Sequence, residues 1–288
     1  MGHSGTTRVF HGLFPDGLAL YKARASLGPK AKRAESTLDY DGIERNFAMA
    51  VKLSVVVPVK DEAENVGPLV REIAAAAGGL GSYEIIFVDD GSSDGTADAL
   101  RKLKAEIDGL RVISHATNLG QSRGIRTGVR AAKGDIIVTL DGDGQNDPAD
   151  IPKLVAPFDR GDASLGLVSG VRAKRQDTFS RRLASRLANS IRQGLLHDGA
   201  VDSGCGLKAF RREAFLALPF FDHLHRFTIT MMIREGYRVE FVAVNHRPRL
   251  HGQSKYTNFH RMLVGIDDLF GVRWLQRRMK KTTEAKEL

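Results

Sequence analysis

Cysteine is nearly absent from this chain. Cys205 is the only one among 288 residues, which excludes an intrachain disulfide and a cysteine-rich metal site and suits a reducing compartment. A small buried residue in a glycine-rich turn is the reading that fits it best. Long apolar runs are missing too. No stretch reaches the roughly 18–20 residues that a membrane-spanning helix needs, and the N-terminus lacks the apolar core of a signal peptide. Any membrane contact is therefore expected to be peripheral, on a cytoplasmic face. Internal repeats and low-complexity linkers are not found. Aromatic residues make up only 7%, too few and too scattered for arginines interleaved with stacking rings, so a nucleic-acid partner is not expected despite the basic character.

That basic character is pronounced. Forty-three Lys and Arg against thirty-four Asp and Glu give a net charge of +9 and an isoelectric point near 9.7, a surface that attracts phosphorylated substrates or anionic lipid head groups. With 42% hydrophobic and 27% charged residues, the composition is that of a globular protein able to bury a sizeable core.

Residues 1–48 show no sustained periodicity and are expected to be a loosely ordered extension, with Met49 a candidate natural start. From Leu53 a regular cycle begins. LSVVVPV precedes a helical stretch from Glu64 to Ala77; YEIIFVDD precedes one from Thr96 to Ile107; RVISH precedes one from Ser122 to Lys133; DIIVTLDGDGQ follows. Short apolar runs alternating with helices predict an α/β fold with a mostly parallel sheet, helices on both faces and a single main domain. Polar clusters fall after the runs, at Pro58–Glu62, Asp89–Asp94, Asn118–Gln121 and Asp141–Gln145. In such sheets ligands bind beyond the carboxyl ends of the strands, so the four clusters predict one site. The second half is less regular: strand-like LGLVSG, a basic helical segment at 178–196, the turn DSGCG, a short helix near Arg212–Leu216 and strand-like RVEFVAVNHR. In 258–280, Phe259, Leu263, Ile266, Leu269, Phe270 and Trp274 recur at helical spacing between basic residues, which predicts a helix lying in a membrane interface.

Asp141 and Asp143 emerge at a strand end with Gly142 between them, hard oxygen ligands suited to Mg²⁺ or Mn²⁺, and Gln145 adds a neutral oxygen. Taken alone, an Asp-x-Asp is equally a solvated acidic loop with Asp147 capping the next helix ahead of Pro148. Asp89 and Asp90 end another strand before Gly91-Ser92-Ser93-Asp94-Gly95-Thr96. A carboxylate there accepts hydrogen bonds from a base or ribose, although Ser93, Asp94 and Thr96 are also ordinary cap residues.

Six ordered segments, VVVPVKDEAENV, IIFVDDGSSDGT, NLGQSRGIRTG, DGDGQNDP, DSGCGLKAFRRE and NHRPRLHGQSKY, make the chain resemble family 2 glycosyltransferases of the GT-A, Rossmann-like type, especially those that glycosylate polyprenyl phosphates, such as dolichol-phosphate mannosyltransferase. The resemblance covers about residues 52–257 and implies a transferase domain at 49–257, with 258–288 an amphipathic basic segment. It implies inverting, metal-dependent transfer of a sugar from a GDP- or UDP-linked donor to a polyprenyl phosphate at a membrane surface. By position it assigns Pro58, Glu62, Asp89, Asp90, Asn118, Gly120, Gln121 and Asp141 to the donor. Asp141, Asp143 and Gln145 go to the metal, Arg172, Arg181 and Ser185 to the acceptor phosphate, and Asp143, Arg226 and Lys255 to catalysis. Asp202, His225, Arg247, Arg249 and Ser254 complete the pattern near the reaction centre. Two positions depart from it: Asp61 replaces the usual Asn, and Arg123 stands where a small residue is common. No Gln-x-x-Arg-Trp occurs, which argues against the processive polysaccharide synthases. A soluble transferase acting on a saccharide or protein, and an inactive membrane-bound scaffold, are the remaining alternatives.

Overall fold

Val55, Val57 and Val59 point to one side of the first strand and Val56 to the other, and both sets are buried, so this strand is sealed on both faces. It is β1 (Leu53–Val59), the centre of the parallel part of the sheet. The computed structural model describes residues 52–173, 190, 192–249 and 258–279, with the backbone only for 258–264. All of these belong to one compact unit, Ala50–Leu288.

The elements follow as α1 (Ala63–Ala77), β2 (Tyr83–Asp89), α2 (Thr96–Leu103), β3 (Leu110–Ser114), α3 (Gln121–Ala131), β4 (Ile136–Thr139), α4 (Ile151–Val155), β5 (Leu165–Arg172), β6 (Lys208–Arg211), α5 (Arg212–Ala217), α6 (Leu224–Arg234), β7 (Arg238–Val244) and α7 (Asn258–Arg278). The seven strands form one sheet in the order β3-β2-β1-β4-β6-β5-β7. The pairs β1–β2, β1–β4, β2–β3 and β5–β7 are parallel. Strand β6 runs antiparallel to both β4 and β5, so the mostly parallel sheet expected from the sequence carries one reversed strand.

The alternation along the strands assigns the helices to faces. Val55, Val57, Ile85 and Phe87 pack with Val66, Leu69, Val70 and Ile73 of α1, Leu100 and Leu103 of α2, and Ile151 and Leu154 of α4. On the other face Val56, Ile86, Val88, Leu167 and Phe210 pack with Ile125 and Val129 of α3, Phe215 of α5, Leu224 and Phe227 of α6, and Val272 of α7. At about 1.5–3 kcal/mol for each fully buried large side chain, these two layers are the main source of stability. Helix α3 lies unusually close to the sheet. A β-carbon added at Gly128 would stand 2.3 Å from Val56 Cγ1, a contact that only glycine avoids.

Two helices stop earlier than the sequence pattern suggests. Helix α2 ends at Leu103 rather than Ile107, because the chain tightens into i→i+3 hydrogen bonds (Ala105 N to Lys102 O, Glu106 N to Leu103 O) and turns at Gly109 with φ 77°. Helix α3 ends at Ala131 rather than Lys133. Ala132 is extended there, and the Lys133 N–H is drawn to Glu84 Oε1 at 2.6 Å. The helical segment expected at 178–196 lies outside the described residues except at 190 and 192–196, which are helical.

The C-terminal helix was expected to present one apolar face, and the structure divides it. Val272 is buried, and Leu269 and Leu275 pack against the same core layer. Ile266, Phe270 and Trp274, spaced four apart, are 44%, 63% and 57% exposed. Arg234 Nε donates to Leu275 O at 3.1 Å, Gln276 Nε2 donates to Leu196 O at 2.9 Å, and His223 Nδ1 lies 2.9 Å from Asp268 Oδ2. From residue 265 onward helix α7 is thus docked along one side and bare along the other.

Candidate active site

Register brings the ends of β1, β2 and β3 to one level, with Val59 opposite Asp89 and Asp89 opposite Ser114. Strand β4 stops three residues lower, Thr139 pairing with Val56, so Leu140–Asp143 climbs beside the end of β1. Gly142 permits this approach: a β-carbon there would stand 2.4 Å from Val59 Cγ1. The four polar clusters predicted from the sequence therefore converge on one edge.

Asp141 is fixed from several sides. Its N–H donates to Asn146 Oδ1 at 2.9 Å, and its Oδ1 accepts from Gln121 Nε2 at 2.7 Å. Burial, and then the charge of Asp143, push its carboxyl up to about 6 despite the opposing pull of Lys208, Gln121 and Arg172. Asp143 Oδ1 accepts from Gln145 N at 3.1 Å, and its Oδ2 lies 3.1 Å from Arg249 Nη2, which also reaches Glu62 Oε1 at 3.2 Å. Arg247 anchors the same strand exit, with Nη2 on Asp147 at 2.6 Å and Nη1 on Glu72 at 2.6 Å. Asp147 also caps its helix, accepting from Ala149 N.

The residues expected on the donor side differ in their surroundings. Asp89 accepts from Ser92 N at 3.1 Å, and Glu62 holds Asn65 Nδ2 at 2.6 Å. Asp61, with φ 51°, accepts from Ser93 N at 2.7 Å while its own N–H donates to Ser92 Oγ, so the departure from Asn ties two loops together. Asp90, expected in contact with the donor, is buried and hydrogen-bonded within the protein. Its Oδ1 meets His115 Nδ1 at 2.7 Å and Leu119 N at 2.9 Å, and its Oδ2 accepts from Gly120 N at 2.8 Å. Asn118 caps the same turn through Oδ1 and Gly120 N. Pro58 is buried beneath α3, its Cβ 3.0 Å from where Gly124 would carry one. Arg123 stacks on Phe220 at 4.0 Å, so the extra cation is a surface contact with an aromatic ring.

Beside Asp141 opens a cavity of about 290 Å³, walled by Gln121, Asp141, Lys208, His225, Arg226 and Thr228 among others. Sequence reasoning passed over Lys208. It is buried, its ammonium donates to Cys205 O, and burial lowers its pKa. Its place in GLKAF two residues after a glycine-rich turn was the available signal. Gly206 matters here, because a β-carbon would meet the Asp141 carboxylate at 2.3–2.6 Å. Cys205 is buried and its thiol is pushed up by that burial, the inert structural role expected. Arg172, expected at the acceptor phosphate, is engaged with Asp202: Nε to Oδ2 and Nη2 to Oδ1, both 2.7 Å. Arg181, Ser185, Ser254 and Lys255 lie outside the described residues.

Among the described residues no three His, Cys, Asp or Glu side chains converge on a metal position. A cation here would draw two carboxylates, Asp141 and Asp143, and the amide of Gln145 from the protein and the rest of its shell from phosphate oxygens and water, which is how Mg²⁺ and its relatives are commonly held. Burial and then the neighbouring charge of Asp143 raise Asp141, and an added positive charge would offset both.

Comparison with known proteins agrees with this architecture. An undecaprenyl-phosphate 4-deoxy-4-formamido-L-arabinose transferase of Edwardsiella ictaluri is 39% identical over 210 residues, covering 71% of this chain and 62% of the relative. A dodecaprenyl-phosphate galacturonate synthase of Rhizobium johnstonii is 36% identical over 236 residues, covering 79% of this chain and 68% of the relative. The chain thus spans about two thirds of the length of these curated relatives. In fold it is similar to glucosyl-3-phosphoglycerate synthase from Mycobacterium tuberculosis in complex with Mn²⁺ and uridine-diphosphate-glucose, at a TM-score of 0.61 and 19% identity over 81% of each chain. Mannosyl-3-phosphoglycerate synthase from Rubrobacter xylanophilus gives 0.62 and 19% identity over 84% of this chain and 80% of that one. Residues 54–218, which carry β1 to β6 and both site carboxylates, match the profile described as Glycosyl transferase family 2, and the chain belongs to that family.

Proposed function

We propose that the protein transfers a sugar from a nucleotide-sugar donor to a polyprenyl phosphate, with inversion, using a divalent cation and working at a membrane surface. The observation that carries this reading is the pairing of Asp141 and Asp143 at the end of β4 with a cavity whose wall includes Arg226, His225 and Lys208. A diphosphate on the carboxylate side and a phosphate acceptor on the cationic side would meet across it. The names of the two curated relatives support a lipid-phosphate acceptor.

Asp141, Asp143 and Gln145 would hold Mg²⁺ or Mn²⁺, which when bound supplies charge neutralisation to the departing diphosphate. The protein's own groups do the rest. Gln121 fixes the rotamer of Asp141, and Arg249, already bridging Glu62 and Asp143, places a second cation beside the leaving group. Asp89 and Glu62 line the nucleotide side. A phosphate oxygen of the lipid attacks the anomeric carbon and the nucleoside diphosphate leaves. Because a phosphate is already ionised, no side chain has to remove a proton from it. Arg226, in the cavity wall, is the cation we assign to that phosphate. Arg172 contributes through the Asp202 pair, as a support for the Ser203–Gly206 turn. The bare stripe of Ile266, Phe270 and Trp274, flanked by Arg273, Arg277 and Arg278, is the surface assigned to the bilayer.

The test is incubation of the purified protein with Mg²⁺ or Mn²⁺, a panel of labelled GDP- and UDP-sugars and undecaprenyl or dolichyl phosphate. Label in the organic extract, lost in Asp143→Ala, supports the reading and identifies the donor. Label appearing only on saccharide acceptors overturns the lipid assignment.

A further inference from the structure

Strand β6 carries a charged side chain into the middle of the sheet. Lys208 is paired with Thr139 of β4 on one side and with Ser169 of β5 on the other, and residues directly opposite each other in antiparallel pairs stand side by side on one face. All three are buried. Their face is the one that Phe210 occupies two residues further along β6, and Thr139, Lys208 and Phe210 all line the cavity beside Asp141.

The members of this polar row differ in how far their hydrogen-bonding capacity is met. Thr139 Oγ1 donates to Gly206 O at 3.2 Å. The Lys208 ammonium has three protons to give, and among the described residues its one hydrogen bond is to Cys205 O. Ser169 Oγ is buried and makes no hydrogen bond. The neighbouring carboxylates are engaged elsewhere, Asp202 with Arg172 in three contacts and Asp141 with Gln121 through Oδ1. They act on Lys208 through charge alone, and burial outweighs their attraction in lowering its pKa. A buried ammonium is costly until its protons and its charge are met by oxygen, and the space that Lys208 borders is the cavity.

From this arrangement we infer that Lys208 is a substrate-binding residue, whose two remaining N–H groups hold an anionic oxygen of the molecule occupying the cavity, with the Ser169 hydroxyl beside it as a supporting donor. In the proposed reaction two groups have that chemistry: a carboxylate on the transferred sugar and the phosphate of the acceptor. The inference rests on the transferase reading for these two sources. It adds to Arg226, which reaches the cavity from α6, a second cation that reaches it from the sheet.

Equilibrium binding to the purified full chain with Mn²⁺ tests this, comparing wild type with Lys208→Met. The ligands are UDP and GDP alone, two pairs that differ by one carboxylate (UDP-glucuronic acid against UDP-glucose, GDP-mannuronic acid against GDP-mannose), and undecaprenyl phosphate against undecaprenol in detergent. Lys208→Met should bind the anionic member of one kind of pair about ten- to a hundredfold more weakly, the worth of hydrogen bonds to a charged group, with its neutral counterpart and the free nucleotides unchanged. A loss on the sugar pairs places the oxygen on the donor, and a loss on the lipid pair places it on the acceptor. Because methionine removes a buried charge at similar volume, the variant should melt no lower than the wild type. A lower Tm with every ligand weakened alike makes Lys208 a prop of the Ser203–Gly206 turn and overturns the inference, as do equal affinities in the two proteins. Ser169→Ala, a one-atom change beside the ammonium, decides the matter where Lys208→Met does not fold: it should weaken the same anionic ligand about fivefold, and an unchanged affinity overturns the inference. A wild type that binds neither nucleotide sugar nor lipid phosphate overturns the transferase reading as well, whereas a wild type that binds them and a Lys208→Met that binds them equally removes Lys208 alone.

Discussion

Arg172 and Asp202 meet as two forks, Nε on Oδ2 and Nη2 on Oδ1 at 2.7 Å each, with the Arg172 backbone N–H adding a third contact to Oδ2 at 3.2 Å. The side chains are only 15% and 7% exposed. Removing one partner from such a pair strands the other charge, which costs about 3–5 kcal/mol. Asp202→Asn should therefore lower stability in urea by roughly 3 kcal/mol, whereas replacing both partners by apolar residues should recover part of it. If Asp202→Asn leaves the urea midpoint unchanged and weakens only the affinity for lipid phosphate, Arg172 acts on the ligand and the pair is not structural.

Gly206 offers a cleaner probe of the carboxylates than removing them. A methyl group at that position would overlap the Asp141 carboxylate, so Gly206→Ala should displace it while leaving both core layers intact. In the wild type, Mn²⁺ with a nucleoside diphosphate at about 100 times its Kd should stabilise the fold by about 2.7 kcal/mol, read as a rise in Tm. Gly206→Ala should lose most of that rise. A variant that retains the full rise would show that Asp141 is not a ligand.

Glu84 sets part of the acid limit of stability. Burial on its own would raise its pKa, but the Lys133 N–H, the Ser54 hydroxyl and Arg111 outweigh it and hold the carboxyl below the ordinary glutamate value of 4.5. A group depressed in the folded state contributes stability above its unfolded pKa and loses it as pH falls through the folded value. Tm of the wild type should thus decline as pH drops below about 4.5, and this part of the decline should vanish in Glu84→Gln. That variant should also be less stable near neutral pH by about 1–3 kcal/mol, since the donors that converge on the carboxylate lose their partner. An unchanged pH slope in Glu84→Gln would remove Glu84 from the account.

Phe270 and Trp274 contribute little to the core, being more than half exposed. Phe270→Ser with Trp274→Ser should change stability by no more than about 0.5 kcal/mol and yet lower binding to vesicles of anionic phospholipid by tenfold or more in a sedimentation assay. A large loss of stability with unaltered vesicle binding would mean that the stripe is covered by protein.

The first half of the domain was legible because its signals are local. LSVVVPV and YEIIFVD are buried on both faces, so they appear as unbroken apolar runs, and the ligand clusters follow them at the strand ends. Strand β6 was not legible: KAFR has four residues, two of them charged, and becomes a strand only because β4 and β5 offer edges on either side. The same reason hid Lys208, whose burial depends on where the reversed strand is inserted. Spacing on α7 announced a helix but not its partition, since Leu269 and Phe270 are neighbours in sequence and part company only against α6. The internal partners of Asp90 were not legible either. Its three internal donors come from a loop some 25–30 residues later, a distance at which sequence carries no signal.

The reversed strand also determines how this molecule can be divided. Among the described residues strand β6 is the strand that joins β4 to β5 in the sheet order, and it follows the Ser203–Gly206 turn. A fragment ending soon after the Asp141–Asp143 loop would leave β4 with a full row of unsatisfied amides and carbonyls and would strip the cavity of its opposite wall, an edge prone to pair with another chain. The parts before and after the Asp141–Asp143 loop are consequently not modules to be exchanged between relatives by cutting between them; a chimera would have to carry β6 along with whichever part supplies Asp141.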